Sequence, residues 1–248
     1  MQVEAVSMSP SVYVLYGTPG SGRTDVLADL LESLLDGGES VALLLPEDWQ
    51  FDPANLHSTN KPNCISYQLC ECQLNIAISG AIDAAVVFVV APALAHPGDM
   101  AEALKSWMQL SNRSLARILT IVDCAKAAEH GRLRTWLEAW IHFSDAVLLN
   151  NRDNVSQKWL QEFEKHFHKL CYPCRFFNVK KGRLRNPAEA LEPEPRRISL
   201  YFDELEPIED DDMEEGELPE DLAEDPYVAR LESGQRAKPL PPIDKLFI

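Results

Sequence analysis

Residues 17–24 read GTPGSGRT, and this octapeptide restricts the possible fold more than any other stretch of the chain. It has the spacing of a phosphate-binding loop, G-x-x-x-x-G-K-[ST], with Arg23 in the lysine position. Its flanks have the required character. Residues 11–16 (SVYVLY) predict a short buried strand, and residues 24–35 (TDVLADLLESLL) an amphipathic helix. In a strand–loop–helix unit, Gly17, Gly20, Ser21 and Gly22 let backbone N–H groups converge on phosphate oxygens, and the helix start adds its positive dipole end. Thr24 supplies a hydroxyl placed to reach a magnesium ion. Arg23 keeps the positive charge. A planar guanidinium, however, does not sit between two phosphates as a compact ammonium does, so nucleotide binding is expected to survive the change better than catalysis. The bland alternative is a glycine-rich turn that only opens a helix.

The rest of the chain alternates in the same way. Residues 40–45 (SVALLL), 84–90 (AAVVFVV), 116–122 (ARILTIV), 146–149 (AVLL) and 174–179 predict strands. Helices are expected over 97–110, 132–143 and 155–170, with a further one over 70–79, and residues 50–63 read as a loop. Short apolar strands alternating with helices imply an α/β fold of the P-loop NTPase type: a mostly parallel sheet with helices on both faces, followed by an acidic disordered tail. Ligands on such sheets bind at the carboxyl ends of the strands, where both residues 17–24 and residues 150–153 fall.

Charge locates the tail. The net charge of −16 arises mainly from residues 203–225, which hold 14 acidic residues and no Lys or Arg. The remainder carries 25 acidic against 23 basic residues, so the folded body has no basic face for nucleic acid. Proline and acid from residue 193 onward cannot bury enough apolar surface to offset chain entropy. The expected organisation is a nucleotide-binding domain over 1–192, a disordered Pro/Glu/Asp-rich linker over 193–226, and a short apolar segment over 227–248 that either folds back on the core or binds a partner protein. The acidic tail is the other surface offered to a protein partner. No apolar run is long enough to span a membrane, the N-terminus has no secretory pattern, and six dispersed cysteines fit a reducing cytoplasm.

Residues 144–153 (SDAVLLNNRD) carry a second motif. A strand ending in N-x-x-D matches the guanine-reading element N-K-x-D. Asp153 is placed to accept two hydrogen bonds from the guanine amino and imino groups, Asn150 to tether the base and the P-loop side of the site, and Asn151 stands where the lysine is expected. The competing interpretation makes Asp153 or Asn154 the N-cap of the following helix. With Ile121-Val122-Asp123 and Leu94-Ala95-His96-Pro97, these elements make residues 11–180 resemble the CobW-like GTPases, relatives of the urease and hydrogenase metallochaperone GTPases. The resemblance implies GTP or GDP with Mg2+ as ligand, and a metal site at a C-x-C-C motif. That motif is reduced here to Cys70 and Cys72, a weak candidate for Zn2+. Val90-Ala91-Pro92-Ala93 replaces the acidic residue and glycine that the family carries before L-A-[DH]-P.

Three functions fit this reading: a guanine-nucleotide-binding protein with slow or absent hydrolysis, an active GTPase assisting metal delivery, and a degenerate scaffold for protein partners.

Overall fold

The computed structural model describes residues 10–77, 82–203 and 224–247. The chain begins with β1 (Ser11–Gly17), α1 (Arg23–Asp36) and β2 (Val41–Pro46), the strand–loop–helix–strand unit read from the sequence. It continues through β3 (Asn63–Cys70), β4 (Gln73–Ile76), β5 (Val86–Val90), α2 (Pro97–Ser111) and β6 (Ser114–Asp123). Then come α3 (Cys124–Glu129), α4 (Gly131–His142), β7 (Ala146–Asn150), α5 (Gln157–Lys169), β8 (Arg175–Lys180), β9 (Arg183–Leu184) and α6 (Pro187–Leu191). The strands form one sheet in the order β4-β3-β2-β5-β1-β6-β7-β8-β9. Among the described residues, the edge strands β4 and β9 are the ones that run antiparallel to their neighbours in this sheet.

Strand alternation divides the core. In β1, Val12, Val14 and Tyr16 enter one hydrophobic cluster, whereas Tyr13 and Leu15 enter the other. The central strands are apolar at nearly every position because both faces are covered. One face packs against Val26, Leu27, Leu30, Leu31 and Leu35 of α1. The opposite face packs against α2, α4 and α5 through residues such as Met100, Leu104, Trp136, Trp140, Leu160 and Phe163. β1 is flanked by β5 and β6, so the chain order reverses about it and the glycine loop emerges at the crevice.

Residues 70–77 differ from the expected helix. Cys70 pairs with Gln73 and Leu69 with Leu74 across a β3–β4 hairpin, with Glu71 and Cys72 in the left-handed region at φ 47° and 57°. Two successive positive φ values are those of a type I′ turn, which fits the twist of the adjoining strands. Residues 78–79 of the expected helix lie outside the described residues. At the second motif, the N-cap of α5 is Ser156, whose side chain accepts from the Trp159 N–H, and neither Asp153 nor Asn154 takes that role.

Much of the expected disordered stretch, residues 204–223, also lies outside the described residues. Its flanks are packed on the domain. The Arg197 guanidinium meets the fully buried Asp145 carboxylate at 3.2 Å and also pairs with Asp203. Asp145 accepts further hydrogen bonds from the Ile118 and Arg196 N–H groups at 2.8 and 2.6 Å. Burial raises the Asp145 carboxyl pKa, and Arg197 and these amides offset only part of that rise.

Downstream, Asp225 accepts from the Ser199 hydroxyl at 2.6 Å and lies 2.7 Å from His142 Nε2. Tyr227, Val228 and Ile243 are buried, and the Trp136 indole N–H donates to the Pro241 carbonyl at 2.5 Å. The C-terminal segment therefore folds back on the α2/α4 face.

Arg230 and Arg236 fasten this segment to α2. Both guanidinium groups reach Glu102, at 2.8 and 2.5 Å, and Arg236 also reaches Asp99 at 2.5 Å. Partial burial would raise the Glu102 carboxyl, but hydrogen bonds from the two arginines outweigh it and hold the group down at about 2.

Two predictions follow from these anchors. Replacing Arg197 by Ala leaves Asp145 buried without its cation and should cost about 3–5 kcal/mol in urea unfolding. A loss under 1 kcal/mol would show that the pair is dispensable. For Glu102, a depressed folded-state pKa means stability present above the ordinary value of 4.5 and lost as pH falls toward about 2. Between pH 5 and 2 the C-terminal segment should detach, read as a change in tryptophan emission and new protease cleavage in residues 224–247, and Glu102→Gln should produce that cleavage already at neutral pH.

Candidate functional site

The site starts from the backbone of residues 17–24. Gly20 and Gly22 adopt φ 70° and 85°, conformations that side-chain-bearing residues rarely hold, and Gly22 is the N-cap of α1. The Ser21 N–H turns back to the Thr18 carbonyl at 3.2 Å, and the Val26 N–H makes the first helical bond to Gly22. Among the described residues, no protein group accepts from the first-turn amides of Arg23, Thr24 and Asp25, the donors that a helix start leaves unspent. The Thr18 and Ser21 hydroxyls are buried in the turn without a hydrogen-bond partner among those residues. The turn thus keeps an unsatisfied set of donors facing a curled, side-chain-poor backbone.

β7 holds the turn from the other side. The Asn150 side-chain amide donates to the Ser21 carbonyl at 2.9 Å and lies so close to Gly22 that any Cβ there would collide with it. This contact joins Asn150 to the loop side of the site. Asn151, left-handed at φ 53°, donates to Asp123 Oδ2 at 2.9 Å. Asp123 Oδ1 caps α3 by accepting from the Lys126 N–H at 3.1 Å. Asp153 is exposed on a 3-10 turn, Arg152–Asn154, and touches neither the loop nor Asn150 in the hydrogen bonds of the described residues.

Arg23 runs across Gly17, where a Cβ would come within 2.8 Å of its Cγ and Cδ. Its guanidinium donates to the Ala91 carbonyl at 2.9 Å and stacks 4.1 Å from the Trp49 ring centre. Ala91 stands just past β5, in the stretch where the resembling family carries its acid, so a neutral carbonyl receives the charge. Burial lowers the Arg23 pKa to about 10, against the opposing pull of Asp48.

Between the loop and the end of β2 lies a cleft of about 400 Å³, lined by Gly20, Gly22, Arg23, Thr24, Asp48, Trp49 and Ala93, among others. The Thr24 hydroxyl and Asp48 carboxylate share this cleft, and two oxygen donors of that kind suit Mg2+, which keeps several waters of its own. Sequence reasoning missed Asp48 and Trp49. Their signal was position, directly after a predicted buried strand ending at Pro46.

The cysteine candidates separate. Cys72 lies with Asp99 and Glu102 inside one potential ligand group, which does not include Cys70. Arg236 and Arg230 already occupy the carboxylates of that group and also donate to the Cys72 sulfur. Burial and the neighbouring Glu102 and Asp99 push the Cys72 thiol up to about 11, which keeps it protonated. One protonated thiol and two arginine-paired carboxylates do not fit a zinc site, which needs thiolate, imidazole or free carboxylate ligands around the ion. Of the two cysteines spaced C-x-x-C at 171 and 174, Cys171 is exposed and Cys174 buried.

Comparison with known proteins follows this geometry. The family model described as CobW/HypB/UreG, nucleotide-binding domain, matches residues 11–178. Among solved structures, the Zn(II)-bound YjiA GTPase from E. coli is similar at 17% identity over 76% of this chain and 66% of that one, with a TM-score of 0.44. The signal recognition particle receptor FtsY from Elizabethkingia anophelis, in complex with GDP, is similar at 12% identity over 83% and 67%, with a TM-score of 0.48. Cell division protein FtsY from Thermotoga maritima gives 14% identity over 73% and 67%, with a TM-score of 0.46. The chain spans about two thirds of the length of these structures. No curated protein matches it. The family match covers well over half the chain and includes both motifs, and the chain belongs to the CobW/HypB/UreG family through its nucleotide-binding domain.

Proposed function

We propose that this protein binds a guanine nucleotide with Mg2+ at the turn of residues 17–24 and hydrolyses it slowly or not at all. The observation that carries the reading is the turn itself: free first-turn amides and two partnerless buried hydroxyls, held open by Asn150. Anionic oxygens are the ligands that satisfy such a set. Thr24 and Asp48 supply oxygen ligands for the magnesium ion, and the exposed Asp153 carboxylate is free to pair with the guanine edge. Phosphoryl transfer needs a metal, a charge clamp and an oriented water. The cleft has candidates for the first two. At the β5 end, Ala91, Pro92 and Ala93 offer no side chain that orients water, and the Ala91 carbonyl is occupied by Arg23.

Thermal unfolding tests the binding. GDP or GTP with Mg2+, at about 100 times its dissociation constant, should stabilise the protein by about 2.7 kcal/mol, with a smaller effect from ATP. An unmoved melting temperature with every nucleotide would leave a scaffold that has lost its ligand. Asp153→Ala should erase the preference for GTP over ATP while retaining phosphate binding, because it removes the paired acceptors. If the ratio is unchanged, base reading lies elsewhere. Phosphate release should proceed on the order of 10⁻³ s⁻¹ or slower, and turnover near 1 s⁻¹ would refute the slow-hydrolysis assignment.

A further inference from the structure

The glycine turn is flanked by two cations, only one of which belongs to its motif. Arg23 lies on the β5 side, with its guanidinium engaged by the Ala91 carbonyl and the Trp49 face. On the opposite side stands Lys126, from the short helix α3 after β6. Its ammonium donates to the Pro19 carbonyl at 3.1 Å and stands so close to Gly20 that a Cβ there would lie 3.2 Å from Nζ. No other lysine among the described residues touches the turn.

The position of Lys126 is built, not incidental. The residue is half-buried, and the Asp123 carboxylate that caps its backbone N–H also holds Asn151 of the second motif. Its ammonium packs 4.7 Å from the Phe247 ring centre, so the C-terminal segment closes the outer side. Ile243 and the Trp136–Pro241 hydrogen bond fix that segment in place.

We propose that Lys126 supplies the compact positive charge for the nucleotide phosphates that the turn itself lacks, standing in for the missing lysines at positions 23 and 151. The proposal rests on the nucleotide reading given above. Its chemistry differs from that of Arg23. An ammonium is a point donor that can face a carbonyl and a phosphate oxygen together, whereas the Arg23 fork is already committed to a carbonyl and a ring. The Thr18 and Ser21 hydroxyls on the same turn, without a hydrogen-bond partner among the described residues, are the independent sign that a polar ligand completes this place.

The test uses the full chain and GDP with Mg2+, titrated against wild type, Lys126→Gln, Lys126→Arg and the double variant Lys126→Gln with Asn151→Lys. Lys126→Gln removes charge at nearly constant shape and should weaken GDP at least tenfold. Lys126→Arg keeps the charge but not its compact shape and should recover only part of the loss, and the double variant should recover most of it by returning a lysine to the motif position. Affinity for GDP in the wild type should fall with added salt more steeply than in Lys126→Gln. Melting temperatures of the unliganded variants, expected within about 2 °C of wild type, separate charge from folding. Undiminished GDP binding by Lys126→Gln, or a loss that the arginine and double variants share in full, would overturn the assignment while leaving nucleotide binding intact. A wild-type chain that binds no GDP would overturn both.

Discussion

The contact between Asn150 and Gly22 governs the site. A residue with a Cβ at position 22 would strike the Asn150 amide, and φ of 85° there excludes most side chains on backbone grounds alone. One N–H of the same amide donates to the Ser21 carbonyl. Sheet, turn and helix are therefore locked at one point. β1 delivers the turn, β7 delivers the asparagine, and the left-handed glycine lets them meet. The amides of Arg23, Thr24 and Asp25 remain unspent because the first turn of a helix has no preceding helical carbonyls to receive them.

Around that point the charges come from several elements. Arg23, at the start of α1, settles on the Ala91 carbonyl and the Trp49 indole. Lys126 reaches the turn from α3, which precedes the second motif. At the β3–β4 hairpin, Arg230 and Arg236 occupy the acidic groups beside Cys72. The electrostatics of the folded molecule depend on where each charge ends up and not on its place in the sequence.

The sequence made legible what depends on short-range pattern. β1, α1, β5, β6 and β7 could be read because their apolar runs are bounded by glycine, proline or polar turns, and the loop and Asn150 fell where strand ends place ligands. The hairpin at residues 63–76 was not legible. Residues 65–69 (ISYQL) do alternate, with Ile65, Tyr67 and Leu69 turned inward, but the turn at Glu71 and Cys72 has neither Gly nor Asn to mark its positive φ, so nothing in the pattern joins two strands there. Asp48 and Lys126 escaped for a different reason. Each reaches the site by folding, from a loop after β2 and a helix after β6, and no spacing rule connects them to residues 17–24. The anchoring of residues 197–199 and 225 was hidden as well, since their neighbours are so acidic that composition alone argues for solvent.

The C-terminal segment links these observations. Its arginines bind Glu102 and Asp99 on α2, its Pro241 carbonyl holds Trp136 on α4, and its Phe247 ring covers Lys126 on α3. Three helices on one face of the sheet are thus spanned by about twenty residues, ending beside the phosphate turn. The ring lies against the Lys126 ammonium, and the contacts upstream hold the same segment to α2 and α4. The β3–β4 hairpin and the glycine turn thus lie at opposite ends of one stretch of chain, held by ion pairs at the first and by a ring contact at the second.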